Sequence, residues 1–257
     1  FILGIFGSSL NKLGYSQNEI LIFNAWLDKP VYRCGKLSRI FNPTSKICLI
    51  GNDMQGNRVL LLGNSHANSI KTAFQASMED KGITTFFYID SQPLTSSSQD
   101  VELIRNEVVR NEINSIVIHY NPEFYNNDIH LANMTSFLEM MRKDDIVVLF
   151  IAPVPIYESH IPRAMFKRLK EPSLSLEFMD FKQIINATQS FDNFISDSNI
   201  GQENVWYPST VFCLEHECTY QDNGVPYYFD NNHLTLTGAI QLKPLFNEIG
   251  SHLVSNN

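Results

Sequence analysis

The run Val59-Leu60-Leu61-Leu62-Gly63-Asn64-Ser65-His66-Ala67 decides how this chain of 257 residues is read. Four consecutive apolar residues indicate a strand covered on both faces, as in a parallel sheet. The run stops at Gly63 and a polar Asn-Ser pair follows. Ala67, Ile70, Ala73 and Phe74 then recur at helical spacing to about Met78. Ser65 therefore falls in a tight strand-to-helix turn at the carboxyl edge of a central strand, where open α/β sheets bind ligands. The free N–H groups of a helix start suit a developing oxyanion. A serine at this place also fits a plain helix cap, and the turn alone does not separate the two.

Outward from this stretch the chain alternates strands and helices. Strand patterns cover residues 58–63, 83–89, 115–120, 146–151 and, less regularly, 205–212; helical spacing covers 66–80, 101–113, 131–141 and much of 173–196. The alternation predicts an α/β fold, a three-layer α/β/α sandwich around a central parallel sheet of about five strands. Residues 19–27 have an amphipathic pattern suited to docking on that core.

A second informative stretch lies far down the chain, at Tyr228-Phe229-Asp230-Asn231-Asn232-His233-Leu234-Thr235. Asp230 and His233 are spaced so that, on one loop, the carboxylate reaches the near ring nitrogen and the far nitrogen stays free to take a serine proton. Leu234, Ala239, Leu242, Phe246, Ile249 and Leu253 continue as an amphipathic helix with Thr235 as its cap. Taken alone, Asp230 and Asn231 are ordinary turn formers. Together with the Gly-Asn-Ser turn, the spacing points to a Ser65–His233–Asp230 triad.

Gly-Asn-Ser-His early and Asp-x-x-His-Leu-Thr-x-x-Gly late resemble the first and last blocks of SGNH (GDSL-like) hydrolases, whose fold is flavodoxin-like. The pattern is more similar to the periplasmic SGNH domain fused to bacterial acyltransferase-family-3 membrane proteins. Tyr32-Arg33-Cys34-Gly35, Leu61 to Ala67, Ile151-Ala152-Pro153-Val154-Pro155-Ile156-Tyr157, Cys213 with Cys218, and Tyr228 to Gly238 carry this similarity. The resemblance implies an O-acetyltransferase acting on a cell-surface polysaccharide such as lipopolysaccharide O-antigen. It also implies a periplasmic domain of an inner-membrane protein, partnered by a membrane-embedded acyltransferase domain of the same polypeptide. No cofactor is expected within this domain; acetyl-CoA is the ultimate donor through the membrane domain. Residues 1–30 then read as an extension following that membrane domain and packed on the core, and residues 31–257 as the SGNH domain. The family's oxyanion hole uses the serine N–H and an Asn, here Ser65 and Asn121; read from the residues alone, Asn121-Pro122 equally fits an ordinary turn at the end of the third strand. The family's glycine block has no counterpart, and Asn64 stands where Gly-Asp-Ser has its Asp.

The net charge of −8 argues against a nucleic-acid partner. Cys34, Cys48, Cys213 and Cys218 form two local pairs in loop-like surroundings, without the spacing of a zinc site. Of the possible pairings we expect Cys34–Cys48 and Cys213–Cys218, both closing short loops and both pointing to an oxidising compartment. The apolar start Phe1–Phe6 is too short to span a bilayer and reads either as the tail of a preceding membrane helix or as a segment packed on the domain. His66 reads as a helix-start surface histidine. Ile161 to Arg168 concentrates positive charge in an acidic chain, either as a solvated helix face or as a contact for an anionic glycan or phospholipid headgroups. Two further functional readings use the same stretches: a carbohydrate acetylesterase with the same triad, and a non-catalytic module that presents glycan.

Overall fold

The computed structural model of the chain describes residues 14–34, 40, 45–95, 98–173, 181–214 and 217–255. Phe1–Phe6, Gly35 and His216 lie outside them. Among the described residues the central sheet has six strands: β1 (Ile47–Ile50), β2 (Arg58–Gly63), β3 (Thr84–Tyr88), β4 (Ser115–His119), β5 (Val147–Ile151) and β6 (Val205–Trp206). Their spatial order is β1-β3-β2-β4-β5-β6. Pairings β2–β3, β2–β4, β4–β5 and β5–β6 are parallel, and β1 lies antiparallel on β3 at the edge. The chain leaves β2 for β3 on one side, then crosses to β4 on the other. The order thus reverses at β2, and a crevice opens beyond the carboxyl ends of β2 and β4.

Because side chains alternate along a strand, the sheet feeds two cores. Val59, Leu61, Val117, Leu149 and Ile151 face one side, against Ile70 and Phe74 of α2 (Ser65–Glu79). Also on that side are α8 (Leu236–Gln241) and α9 (Lys243–Ser255), which brings Phe246 and Ile249. Leu60, Leu62, Ile116, Ile118 and Phe150 face the other side, against α3 (Ser98–Arg110), α4 (Asp128–Lys143) and α6 (Phe181–Asp197). The result is the three-layer α/β/α arrangement expected of the alternating pattern.

Several details depart from the sequence reading. Strand β1 was not expected, since it arises from pairing to β3 rather than from a period of its own. Cys48 consequently sits in a strand, and Cys213 and Cys218 lie opposite each other in a small hairpin. The expected fifth strand shrinks to Val205–Trp206, because Pro208 starts a helical turn, Ser209–Phe212. The final helix is broken at Leu242, where Pro244 lacks the N–H that an uninterrupted helix requires.

Before the sheet, α1 (Gln17–Asn24) buries Ile20 and Ile22 and is capped by Ser16 and Glu19 in a reciprocal box. The segment after it crosses to the C-terminal elements. The Leu236 N–H donates to the Asp28 carbonyl, and the Thr237 N–H to Asp28 Oδ2, each at 3.0 Å. Further on, Lys71 of α2 donates to the Val31 and Arg33 carbonyls and, at 3.0 Å, to Asn68 Oδ1. Burial lowers this lysine to about 8, and the charge of Arg33 adds to the effect.

Both expected disulfides are present, Cys34–Cys48 and Cys213–Cys218. The first closes 14 residues and the second 5. Loop-closure entropy then assigns about 3 kcal/mol to the first and about 2 kcal/mol to the second. Denaturant titration of the Cys34→Ser/Cys48→Ser and Cys213→Ser/Cys218→Ser variants should show losses of that size, in that order.

Candidate active site

The serine turn is shaped by one contact that tolerates no side chain. Gly63 ends β2 in register with His119, and a Cβ on Gly63 would lie 1.9 Å from the His119 carbonyl oxygen. The strands can close up there only around glycine. Asn64 follows as the N-cap of α2, its Oδ1 accepting from the His66 N–H at 3.0 Å. Ser65 is the first residue of α2 and is exposed. Its N–H belongs to the first turn, which no helical carbonyl reaches.

The histidine arrives on the loop between β10 (Val225–Pro226) and α8. Two contacts pin this loop: the Thr235 N–H donates to the Tyr227 carbonyl at 2.8 Å, and Thr235 Oγ1 caps α8 by accepting from the Gly238 N–H at 2.9 Å. Gly238 is needed because a Cβ there would meet the Tyr227 carbonyl at 2.1 Å. Asp230 folds back on its own loop. Its Oδ1 accepts from the Asn232 and His233 N–H groups at 3.0 and 2.8 Å. Its Oδ2 lies 2.8 Å from His233 Nδ1. The other ring nitrogen, Nε2, lies 2.7 Å from Ser65 Oγ. Burial acts to raise Asp230, but hydrogen bonds from the His233 ring and from the two N–H groups outweigh it and hold the carboxyl below its ordinary value. An Asp kept ionised at Nδ1 fixes a tautomer whose bare Nε2 faces the serine hydroxyl.

The structure thus brings Ser65, His233 and Asp230 into one hydrogen-bonded chain. It also brings Asn121 to the same edge, where it follows β4 and precedes the short helix Pro122–Asn126. The Asn121 side chain does not cap that helix. Instead its Oδ1 accepts from Asn64 Nδ2 at 2.8 Å, and its own Nδ2 makes a long contact with Glu123 Oε2 at 3.5 Å. Asn64 therefore braces both the serine turn and Asn121, a double role that its place in the motif did not reveal.

His66 corrects the expectation of a surface histidine: it is only 2% exposed. It lies between His233 and His119, with ring centroids 4.9 and 6.1 Å away. Burial drives its imidazole well below the ordinary value, the charges of His233 and His119 add to this, and Asp230 opposes it. His119 is lowered to about 4 by burial, against the pull of its hydrogen bond to the Ile151 carbonyl. Both therefore stay neutral beside the Asp230–His233 loop. The Phe229 ring also packs on His233, stacked nearly parallel, 6° between planes and 5.4 Å between centroids. Lys29 stands over that ring, 4.2 Å from its centroid. Neither Phe229 nor Lys29 carried a signal in the sequence, since a stacking partner has no spacing rule. Among the described residues no cluster of side chains suits a metal ion.

Two outcomes follow. His119 takes up its proton near ~6.5 when unfolded but only at about 4 when folded. The unfolded chain then binds more protons across that window, so stability falls as pH drops through it. Asp230, held low, adds a loss as pH falls through its folded value. Thermal melts from neutral to acid pH should show the decline, with a shallower slope for His119→Asn. In Gly63→Ala, crowding against the His119 carbonyl should cost about 1–3 kcal/mol and displace Ser65, read as a lower melting temperature together with weaker labelling of the serine by a fluorophosphonate.

Residues 33–248 match the family model of the SGNH domain fused to AT3 domains. Among solved structures, the chain is similar to the periplasmic domain of the Salmonella ser. Paratyphi A lipopolysaccharide acetyltransferase. The two are 17% identical with a TM-score of 0.62, over 91% of this chain and 95% of that one. A putative acylhydrolase from Bacteroides fragilis aligns at 16% identity and TM-score 0.45, over 79% and 91% of the two chains. The acetyl xylan esterase AlAXEase aligns at 14% and 0.46, over 76% and 98%. No curated protein matches the chain in sequence. Among the described residues, no helix is long and apolar enough to cross a membrane. With its sheet order, its serine turn and a family match covering most of its length, the chain belongs to the SGNH domains of the kind fused to AT3 domains.

Proposed function

We propose that this domain is an O-acetyltransferase that carries an acetyl group on Ser65 and passes it to a hydroxyl of a cell-surface polysaccharide. The observation that carries the proposal is the unbroken chain from Asp230 through His233 to Ser65, at 2.8 and 2.7 Å. His233 Nε2 takes the Ser65 proton as Oγ attacks the acetyl carbonyl, and Asp230 stabilises the resulting imidazolium. The tetrahedral oxyanion is held by the Ser65 N–H and by Asn121 Nδ2, one such donor being worth ~2.7–4 kcal/mol. As the donor's bond to the acetyl group breaks, the imidazolium returns the proton to the leaving group and acetyl-serine remains. The sugar hydroxyl then attacks this ester, gives its proton to His233, and Ser65 Oγ–H is restored. The family's fusion to AT3 domains supports a membrane-embedded partner in the same polypeptide. In this reading that partner relays acetyl groups from acetyl-CoA, and this domain works on the periplasmic side with no cofactor of its own. The two disulfides are consistent with that compartment.

The exposure of Ser65 gives a second reading some support, because water can reach the acetyl-serine. A carbohydrate acetylesterase would use the same residues and release acetate. Incubation with an acetyl ester and excess glycan separates the two, with acetylated glycan expected by mass spectrometry. Ser65→Ala and His233→Ala should abolish product formation and the acetyl-enzyme mass adduct. Asp230→Asn should lower turnover by roughly 10²–10⁴, with folding retained, because the tautomer is lost. Undiminished transfer by Ser65→Ala would refute the proposal and favour a glycan-presenting module.

A further inference from the structure

In a chain of net charge −8, α5 (Ile161–Lys170, IPRAMFKRLK) has four cations and no carboxylate. Two of them are occupied. Lys170 pairs with Glu19 at 2.5 Å, and Arg168 is hydrogen-bonded to Tyr220. Arg163 and Lys167 are exposed, one helical turn apart on one face, and neither has an ion pair among the described residues. Stability does not explain Arg163. It sits in the first turn of α5, where a cation opposes the helix dipole.

This first turn adjoins the triad. The Ile161 N–H donates to the Asp230 carbonyl at 3.0 Å, and the Tyr157 N–H to the Asn231 carbonyl at 2.8 Å. Lys29 approaches the same rim from the N-terminal segment. It too is exposed, its ammonium over the Phe229 ring that stacks on His233. His160 links the two cations. Its imidazole is lowered by burial and by the charges of Arg163 and Lys29, with Asp230 opposing. The half-buried Trp26 ring lies 5.9 Å from that of His160. Of the carboxylates at this rim, Asp28 is engaged on the Thr237 N–H and Asp230 on His233, whereas Glu158 is exposed with no ion pair among the described residues.

We infer that Lys29, Arg163 and Lys167 form an acceptor subsite beside the triad for an anionic glycan, one whose carboxylate or phosphate groups lie within a sugar or two of the hydroxyl to be acylated. The inference rests on the proposed acyl transfer for its meaning, but not for its test. Lys29 sets the first anionic group next to the reacting hydroxyl, and Arg163 and Lys167 continue the cationic edge along α5. Charge is the selective element: the exposed cations raise the local concentration of an anionic polymer and speed its encounter with the site.

Calorimetric titration of the Ser65→Ala chain measures the subsite without turnover. Three oligosaccharides of equal length serve as probes: neutral, hexuronate-bearing and phosphodiester-bearing. At low ionic strength we expect at least one anionic probe to bind roughly tenfold tighter than the neutral one, an advantage that screening at high salt removes. Lys29→Glu/Arg163→Glu should abolish that advantage. If this variant does not fold, Lys29→Met/Arg163→Met serves in its place. Whichever anionic probe binds tighter identifies the source of the charge. Acetyl-ester turnover by the unmodified chain is followed in parallel. Anionic preference without turnover supports the subsite while refuting the proposed reaction. Equal affinity for all three probes overturns the subsite whatever the turnover. So does binding to phosphatidylglycerol/phosphatidylcholine vesicles that depends on the same cations when the glycans show no preference.

Discussion

The meeting of β2 and β4 at Gly63 is the constraint on which the site depends. Two parallel strands there run closer than a side chain allows, since a Cβ would collide with the His119 carbonyl. Because the backbones close up, the chain can turn at once into α2, with Asn64 capping and Ser65 presented at the helix start. The same register places Asn121, two residues beyond His119, within reach of Asn64. One missing methyl group thus sets the positions of Ser65 and of Asn64, its brace.

The other half of the site depends on backbone hydrogen bonds rather than on packing. Asp230 spends one oxygen on two N–H groups of its own loop and the other on the imidazole, so the loop and the ring orientation are specified together. Thr235 and Gly238 close the loop onto Tyr227, and Asp28 tethers the start of α8 from the far end of the chain. The imidazole is then held between two rings of different character, Phe229 and the buried His66. An orientation fixed from four directions leaves little reorganisation for a proton transfer to accomplish.

How much of this was legible in the sequence depended on distance along the chain. The continuous apolar runs at 59–62 and 146–151 announced buried parallel strands, and the Gly-Asn-Ser turn and Asp-x-x-His loop announced groups whose partners are local. The edge strand Ile47–Ile50 carried no such sign, because an edge strand is defined by its neighbour, and Pro208 and Pro244 broke elements whose hydrophobic period continued through them. His66 was misplaced for a related reason. A residue at a helix start is usually solvated, but this helix starts under the catalytic loop, which burial by a distant segment conceals from any local pattern. Lys29, Phe229 and the hydrogen bond from Asn64 Nδ2 to Asn121 Oδ1 belong to the same class.

Ser65 and His233 are separated by 168 residues, and the sheet is already complete at Trp206. Closing so long a loop is entropically slow compared with forming local helices and neighbouring strands. In chain order Ser65, at the start of α2, precedes the last strand of the sheet, and His233 follows it with the C-terminal helices. A chain truncated before Asp230 would keep Ser65 but lack the imidazole that takes its proton in the proposed reaction, so under that proposal chemistry waits on the docking of the last segment.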